Sequence, residues 1–166
     1  MAAAAPTRKF VSADPERCVG CAVCEYICSM EKEKVFNPLK SRIRVVRLHP
    51  LINLSVTCRL CEDAPCVAAC PRDALQQSEE TGVIIVDEDK CNGCGWCIEA
   101  CDYGAITLHP EKRVVFTCDL CDGEPKCVEW CPEEALDFTT RELLAQKARR
   151  AVVKKLFQEA LKTIPF

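Results

Sequence analysis

Four runs of cysteine constrain this chain more than any other feature. The third run, Cys91-Asn92-Gly93-Cys94-Gly95-Trp96-Cys97-Ile98-Glu99-Ala100-Cys101, spaces its thiols C-x2-C-x2-C-x3-C. Its first three thiols lie close enough for one tight loop to gather their sulfurs. Gly93 and Gly95 let that loop take left-handed backbone angles. The fourth thiol, one short turn on, points away from the loop. Where this spacing is known to bind metal, the fourth thiol serves a neighbouring centre, so such a run is expected to give one ligand, borrow one and have a partner run. The first run repeats the spacing with Cys18, Cys21, Cys24 and Cys28. The second is C-x2-C-x4-C-x3-C-P, through Cys58, Cys61, Cys66, Cys70 and Pro71. The fourth is C-x2-C-x5-C-x3-C-P, through Cys118, Cys121, Cys127, Cys131 and Pro132.

All sixteen cysteines of the 166 residues fall in these runs, while aromatics make up 6%. So thin an apolar core implies covalent or metal cross-links. Disulfides belong to oxidising compartments, and a secreted chain should open with a signal peptide. Residues 1–10 show neither an apolar stretch of that length nor a twin-Arg, and no window approaches a membrane span. A cytoplasmic, metal-binding chain is therefore expected. Zinc ribbons and fingers use two well-separated C-x2-C pairs around one ion. Zinc gives no reason for a third thiol at x2 and a fourth at x3. A cubane cluster does: three iron corners face the loop and the fourth faces another segment. Four 4Fe–4S clusters are the expectation.

Along the chain, residues 1–9 read as a disordered lead and Phe10-Val11 as the start of a short strand. Residues 25–34 suggest one or two helical turns, with Glu31–Lys34 a solvated face. Residues 42–48 and 54–57 read as a hairpin turning at His49-Pro50, and 83–86 as a buried strand. Residues 105–108 and 114–117 form a second hairpin around His109-Pro110, and 135–138 a last strand. Residues 141–166 read as a basic amphipathic helical tail, with Leu144, Ala148, Val152, Val153, Leu156, Phe157 and Ala160 at helical spacing. His49 and His109 are expected as surface turn residues. Trp96 and Trp130 are expected to shield metal from water, and Pro71 and Pro132 to end short helical turns and dry the site walls.

The chain also repeats itself. Asp14-x3-Cys18-x-Gly20-Cys21 matches Asp87-x3-Cys91-x-Gly93-Cys94. Leu48-His49-Pro50 and Leu108-His109-Pro110 stand at equal distances before Cys58 and Cys118. Thr57–Cys61 matches Thr117–Cys121, and Cys66–Pro71 matches Cys127–Pro132. The fold expected is α+β: two βαβ-type pseudo-repeats, 11–76 and 84–138, related by a pseudo-twofold axis within one domain over 10–140, plus a C-terminal helix. About thirteen extra residues around 29–44 form an edge loop and a candidate partner contact.

Four cysteine groups in this order, with a widened gap in the second and fourth, resemble the four-cluster, ferredoxin-like iron–sulfur subunits of molybdenum and tungsten oxidoreductases. That family includes partners of dimethyl sulfoxide reductase, nitrate reductase and formate dehydrogenase. The resemblance covers residues 10–140. It implies bacterial two-cluster ferredoxin modules in duplicate and crossed ligation. Cys18, Cys21, Cys24 and Cys131 would hold one cluster, and Cys118, Cys121, Cys127 and Cys28 its neighbour. Cys58, Cys61, Cys66 and Cys101 would hold a third, and Cys91, Cys94, Cys97 and Cys70 the fourth. The duplication alone equally permits tandem pairing, first run with second and third with fourth. In size and lack of an anchor the chain looks similar to the small subunit of bacterial tungsten aldehyde oxidoreductases.

Residues 141–166 carry a net +5 on a chain of formal charge −3, leaving −8 on residues 1–140. Each oxidised cluster with four thiolates adds about −2, so a loaded body is strongly acidic and unsuited to nucleic acid. There is no catalytic triad, phosphate loop or GxGxxG, so no substrate site of its own. The function expected is electron transfer between a metal-pterin catalytic subunit and a flavoprotein or other redox subunit. The basic tail would dock on an acidic partner or a second copy, without membrane insertion. A freely diffusing polyferredoxin and a protein with structural metal are the rival readings.

Overall fold

A computed structural model describes residues 8–49 and 52–163, the last four of these by backbone alone. Residues 1–7 of the expected lead, Pro50 of the expected turn, the side chain of Ala160 and residues 164–166 lie outside the described residues. In chain order come β1 (Lys9–Ala13), α1 (Val23–Glu33), a 3-10 turn (Pro38–Lys40), β2 (Arg44–His49), β3 (Ile52–Val56) and α2 (Pro65–Ala68). Then follow β4 (Leu75–Gln77), β5 (Ile84–Val86), α3 (Trp96–Glu99), β6 (Thr107–Leu108) and β7 (Val115–Phe116). A second 3-10 turn (Leu120–Gly123), α4 (Lys126–Glu129), β8 (Leu136–Thr140) and α5 (Arg141–Thr163) complete it. Lys9, expected in the lead, opens β1.

The strands pair in four antiparallel two-stranded ladders, and the pairing crosses the chain. The first strand joins the last: Val11 faces Phe138, Ser12 Asp137 and Ala13 Leu136. The two inner strands join each other: Ile84 faces Gln77, Ile85 Gln76 and Val86 Leu75. Helices follow the same plan, α1 packing on α4 and α2 on α3. Two apolar cores result. One gathers Phe10, Val11, Ile43, Leu60, Leu120 and Leu136 with Cys24, Cys28, Cys118 and Cys127. The other gathers Ala74, Leu75, Ile84, Ile106 and Val115 with Cys66 and Cys97. The strand at 84–86 is buried on one face only, since Ile85 is exposed.

The helix after the first cysteines is longer than expected. Ala22 enters it at φ 63°, and it ends at Lys34, which takes φ 55° and donates its N–H to Met30 O at 3.1 Å. Its buried face carries Cys24, Glu25, Cys28 and Ser29, one turn apart in pairs. Ser29 Oγ donates to Tyr26 O and accepts the N–H of Asn37, tying the helix end to the loop beyond. This overturns the solvated reading of part of Glu31–Lys34. The Lys32 side chain is 14% exposed and pairs with Asp119 at 2.9 Å. Glu33 Oε2 lies 3.7 Å from His109 Nε2. The extra segment is therefore no simple edge loop. It packs inward, and Lys40 adds an ion pair to Glu111 at 2.8 Å, though Phe36 and Leu39 remain exposed.

The two hairpins correct the repeat as read from spacing. Val56 and Phe116 each stand two residues before a cysteine, and they face Arg44 and Thr107. Continuing, Val45 faces Ser55 as Leu108 faces Val115. His109 then donates its N–H to Val114 O, whereas His49 faces Ile52 past an irregularity in β2. The two Leu-His-Pro stretches thus occupy different places. His49 is exposed, but His109, expected at the surface, is buried at 5% exposure. Its Nδ1 accepts the N–H of Glu111 and Lys112, and its ring meets Phe116 edge-on.

Thr140 Oγ1 accepts the N–H of Leu143 and starts α5, and no Gly or Pro interrupts residues 141–162. Leu144 packs on the core, while Val152, Val153, Leu156 and Phe157 are exposed. Arg141 pairs with Glu62, Lys147 with Asp137 and Lys155 with Glu16. Among the described residues no helix is long and apolar enough to cross a membrane.

Candidate metal centres

Each cysteine run is a loop followed by a helix, a single turn in the second, third and fourth runs and the longer α1 in the first. The loops bend through left-handed residues. Gly20 and Gly93 take φ 71° and 69°, and Leu60 and Leu120 take 49° and 61°. The third cysteine of each run sits in the helical turn and is buried: Cys24, Cys66, Cys97 and Cys127. After three of the four runs the chain turns in the same way. Asp73, Gly104 and Glu134 adopt φ 51°, 60° and 45°. The next residue then donates its N–H back to the last thiol of the run. Ala74 donates to Cys70 Sγ at 3.3 Å, Ala105 to Cys101 at 3.4 Å and Ala135 to Cys131 at 3.3 Å. At Cys28 the helix runs on, and the donor is Arg42, fourteen residues later, at 3.2 Å. N–H donors aimed at sulfur stabilise thiolate and raise the potential of whatever it ligates.

The thiols meet across the runs. A small cavity is lined by Cys91, Cys94 and Cys97 with Cys70 and Pro71. Another is lined by Cys18, Cys21 and Cys24 with Cys131 and Pro132. The charges of Cys118 and Cys28 both act on Cys127, and those of Cys58 and Cys101 on Cys66. Pro71 and Pro132 thus line the walls as expected. Trp96 and Trp130 do not: they are 64% and 59% exposed and line neither cavity.

The donor set fits clusters better than single ions. Among the described residues, no three Cys, His, Asp or Glu side chains close around one point at single-ion range. Zinc thiolate sites need sulfurs about 2.3 Å from one ion. Here three thiols of one run and one of another line each of two cavities, a four-sulfur set of the kind a cube of four irons takes. Burial pushes the thiols of Cys24, Cys66 and Cys97 up to about 11 and that of Cys118 to about 12. Neighbouring thiolates add to the rise, so only a positively charged guest lets these groups ionise together. At Cys70 the burial penalty, the largest single cause, is outweighed by the N–H groups of Arg72, Ala74 and Leu75 together, which hold the thiol below its ordinary range.

Several contributors escape the cysteine pattern. Ser55 Oγ lies 3.6 Å from Cys24 Sγ and 3.8 Å from Cys18 Sγ. Lys32, Arg42 and Asp119 form an ionic group beside the Cys28–Cys118 site. Only the acid directly after Cys118, where the second run has Arg59, marked that place in the sequence.

A 4Fe–4S dicluster domain model matches residues 51–141, more than half of the chain, and a 4Fe–4S binding domain model matches residues 15–31. The chain belongs to the 4Fe–4S dicluster domain family. The two matched stretches contain all sixteen cysteines. A polyferredoxin-like subunit of an aliphatic sulfonate oxidoreductase from Pyrococcus furiosus is 46% identical over 130 residues, 78% of this chain and 75% of that protein. The electron transport protein HydN of Escherichia coli is 32% identical, over 87% of this chain and 98% of its own length. The probable anaerobic dimethyl sulfoxide reductase chain YnfG of Escherichia coli is 35% identical, over 81% and 74%. This member of the dicluster family is an electron-transfer iron–sulfur protein of oxidoreductase systems.

Proposed function

We propose that the chain carries four 4Fe–4S clusters with crossed ligands and relays electrons within a multi-subunit oxidoreductase. It would connect a metal-pterin catalytic subunit, holding tungsten or molybdenum, to a flavin- or NAD-linked or other redox subunit. An aldehyde oxidoreductase is the partner we favour. The chain has no substrate site of its own in this reading. The cytoplasm, where thiols stay reduced, is its proposed location.

The observation that carries the reading is the company kept by Cys131 and Cys70. Each lines a cavity with three thiols of another run, Cys131 with the first and Cys70 with the third. Tandem pairing would instead set Cys70 with the first run and Cys131 with the third. The strand pairs β1–β8 and β4–β5 support a pseudo-twofold duplication, because their registers correspond residue for residue when the halves are exchanged. A catalytic partner is supported by the names of the Pyrococcus and YnfG relatives, which are those of oxidoreductase subunits or chains.

Anaerobic isolation from the native host tests both parts. About sixteen irons per chain are expected, together with a co-purifying tungsten- or molybdenum-containing subunit. Cys28→Ser should perturb the cluster held by the fourth run. Loss of the second-run cluster instead would reject crossing, and zinc in place of iron would reject the whole reading. A diffusible polyferredoxin, which the wording "polyferredoxin-like" favours, would emerge alone on sizing with its iron intact.

A further inference from the structure

The segment between Cys28 and its N–H donor Arg42 has no counterpart after the other three runs, where the donor follows four residues on. It brings two cations to one place. Lys32 Nζ lies 2.9 Å from Asp119 Oδ2, and the Arg42 guanidinium bonds the same oxygen. Asp119 Oδ1 accepts the N–H of Cys121 at 3.1 Å. The side chains of Lys32 and Arg42 are only 14% and 23% exposed, so water screens them weakly.

The site beside them is the most enclosed of the four. Cys28, Cys118 and Cys127 are all buried and Cys121 is partly so, whereas each other set has a single buried thiol. Burial penalises the more negatively charged, reduced form of a cluster and so lowers its potential. Asp119, adjacent to Cys118, would lower it further. At the matching place in the second run stands Arg59, a cation whose guanidinium lies over the Phe10 and Tyr103 rings. Without the inserted cations, the Cys118 site would have a carboxylate acting on it at the sequence position that the second run fills with Arg59. With them, the group of three carries a net single positive charge.

We infer that Lys32 and Arg42 are potential-setting residues: they offset Asp119 and the enclosure of the site, and hold up the midpoint potential of the cluster ligated by Cys28, Cys118, Cys121 and Cys127. The inference rests on the crossed ligand sharing proposed above. It assigns the extra segment an internal electrostatic role in place of the partner contact expected from its position.

The experiment is an anaerobic potentiometric titration of the full, cluster-loaded chain, read by electron paramagnetic resonance. Lys32→Met should lower one midpoint and leave three unchanged, and Lys32→Arg should restore it. Asp119→Asn should raise that same midpoint. A merely structural role predicts that both removals act in one direction, so opposite signs are the deciding signature. Arg42→Gln leaves the backbone N–H on Cys28 in place and must lower the same midpoint as Lys32→Met. Unmoved midpoints, a uniform shift of all four, or the same sign for Lys32→Met and Asp119→Asn would overturn the inference. Iron content and the response to Cys28→Ser report separately on ligand sharing, so failure of the charge effect with sixteen irons bound leaves that reading standing.

Discussion

At Gly93 the backbone stands at φ 69°, and a Cβ there would meet Arg113 O at 2.9 Å and Leu108 Cδ1 at 3.0 Å. Gly20 stands at φ 71°, and its Cβ would meet Asn53 Oδ1 at 2.6 Å. In both runs the hairpin that follows lies against the cysteine loop at a residue lacking a side chain. Gly95, at φ 90°, has open space where its Cβ would be. Alanine at left-handed angles costs about 1–2 kcal/mol, and at Gly93 the clash with fixed backbone comes on top. Gly93→Ala is therefore expected to destabilise the loaded chain by more than Gly95→Ala does. It should also release iron from the Cys91–Cys70 site first, as followed by thermal melts and iron analysis. Equal effects of the two would show that the hairpin yields. Such glycines were legible in the sequence because C-x-G-C demands a tight loop. The burial of His109 was not, because identical spacing to the next cysteine hid a three-residue difference in hairpin register.

Among the elements, α1 and α5 depart most from what periodicity suggests. The charged stretch Glu31–Lys34 looked solvated because its partners lie far along the chain: Asp119 for Lys32 and His109 for Glu33. No local pattern reveals an ion pair closed by tertiary packing. For α5, helical spacing of apolar residues suggested a packed face, yet every side chain from Ala145 to Glu159 is exposed. Among the described residues, its attachment is Leu144, a hydrogen bond from the Arg141 guanidinium to Leu60 O, and three exposed ion pairs, which salt weakens. An element so held opens locally without disturbing the rest. Trypsin should cut the isolated, loaded chain first at Arg149 and Arg150, leaving the cluster absorption unchanged. Bound to an acidic partner through this helix, the same bonds should be protected. Cleavage equally fast in the complex would dismiss docking by the tail, and bleaching along with the first cut would mean that α5 supports the cluster body.

On the scale of the molecule, the cysteine spacing foretold the 4Fe–4S chemistry, because ligand geometry is local and repeated four times; the crossed plan came only with the family resemblance, since the duplication alone equally permitted tandem pairing. It left the source of stability open. That source is narrow: ladders of only two strands, each strand five or six residues at most, and cores in which Cys24, Cys28, Cys66, Cys97, Cys118 and Cys127 fill apolar positions. Two-stranded ladders are marginal alone, and a thin core needs cross-links. Four clusters would join the first run to the fourth and the second to the third, cross-linking elements that two-stranded ladders and short helix contacts otherwise hold. Metal binding then becomes folding free energy. The raised thiols set the direction of the coupled proton movement. Burial holds Cys118 near 12 and Cys66 and Cys97 near 11, so the chain folded without clusters keeps these groups neutral and loses stability as pH climbs from the ordinary thiol value of 9.0 through those values. Iron entering at neutral pH must displace their protons, and loading should be fuller at mildly alkaline than at mildly acidic pH. Removing iron with a chelator under reducing, anaerobic conditions should abolish the cooperative thermal transition followed by circular dichroism. Restoring iron and sulfide should bring it back. A stripped chain that still melted in one sharp step would mean that the apolar cores alone carry the fold.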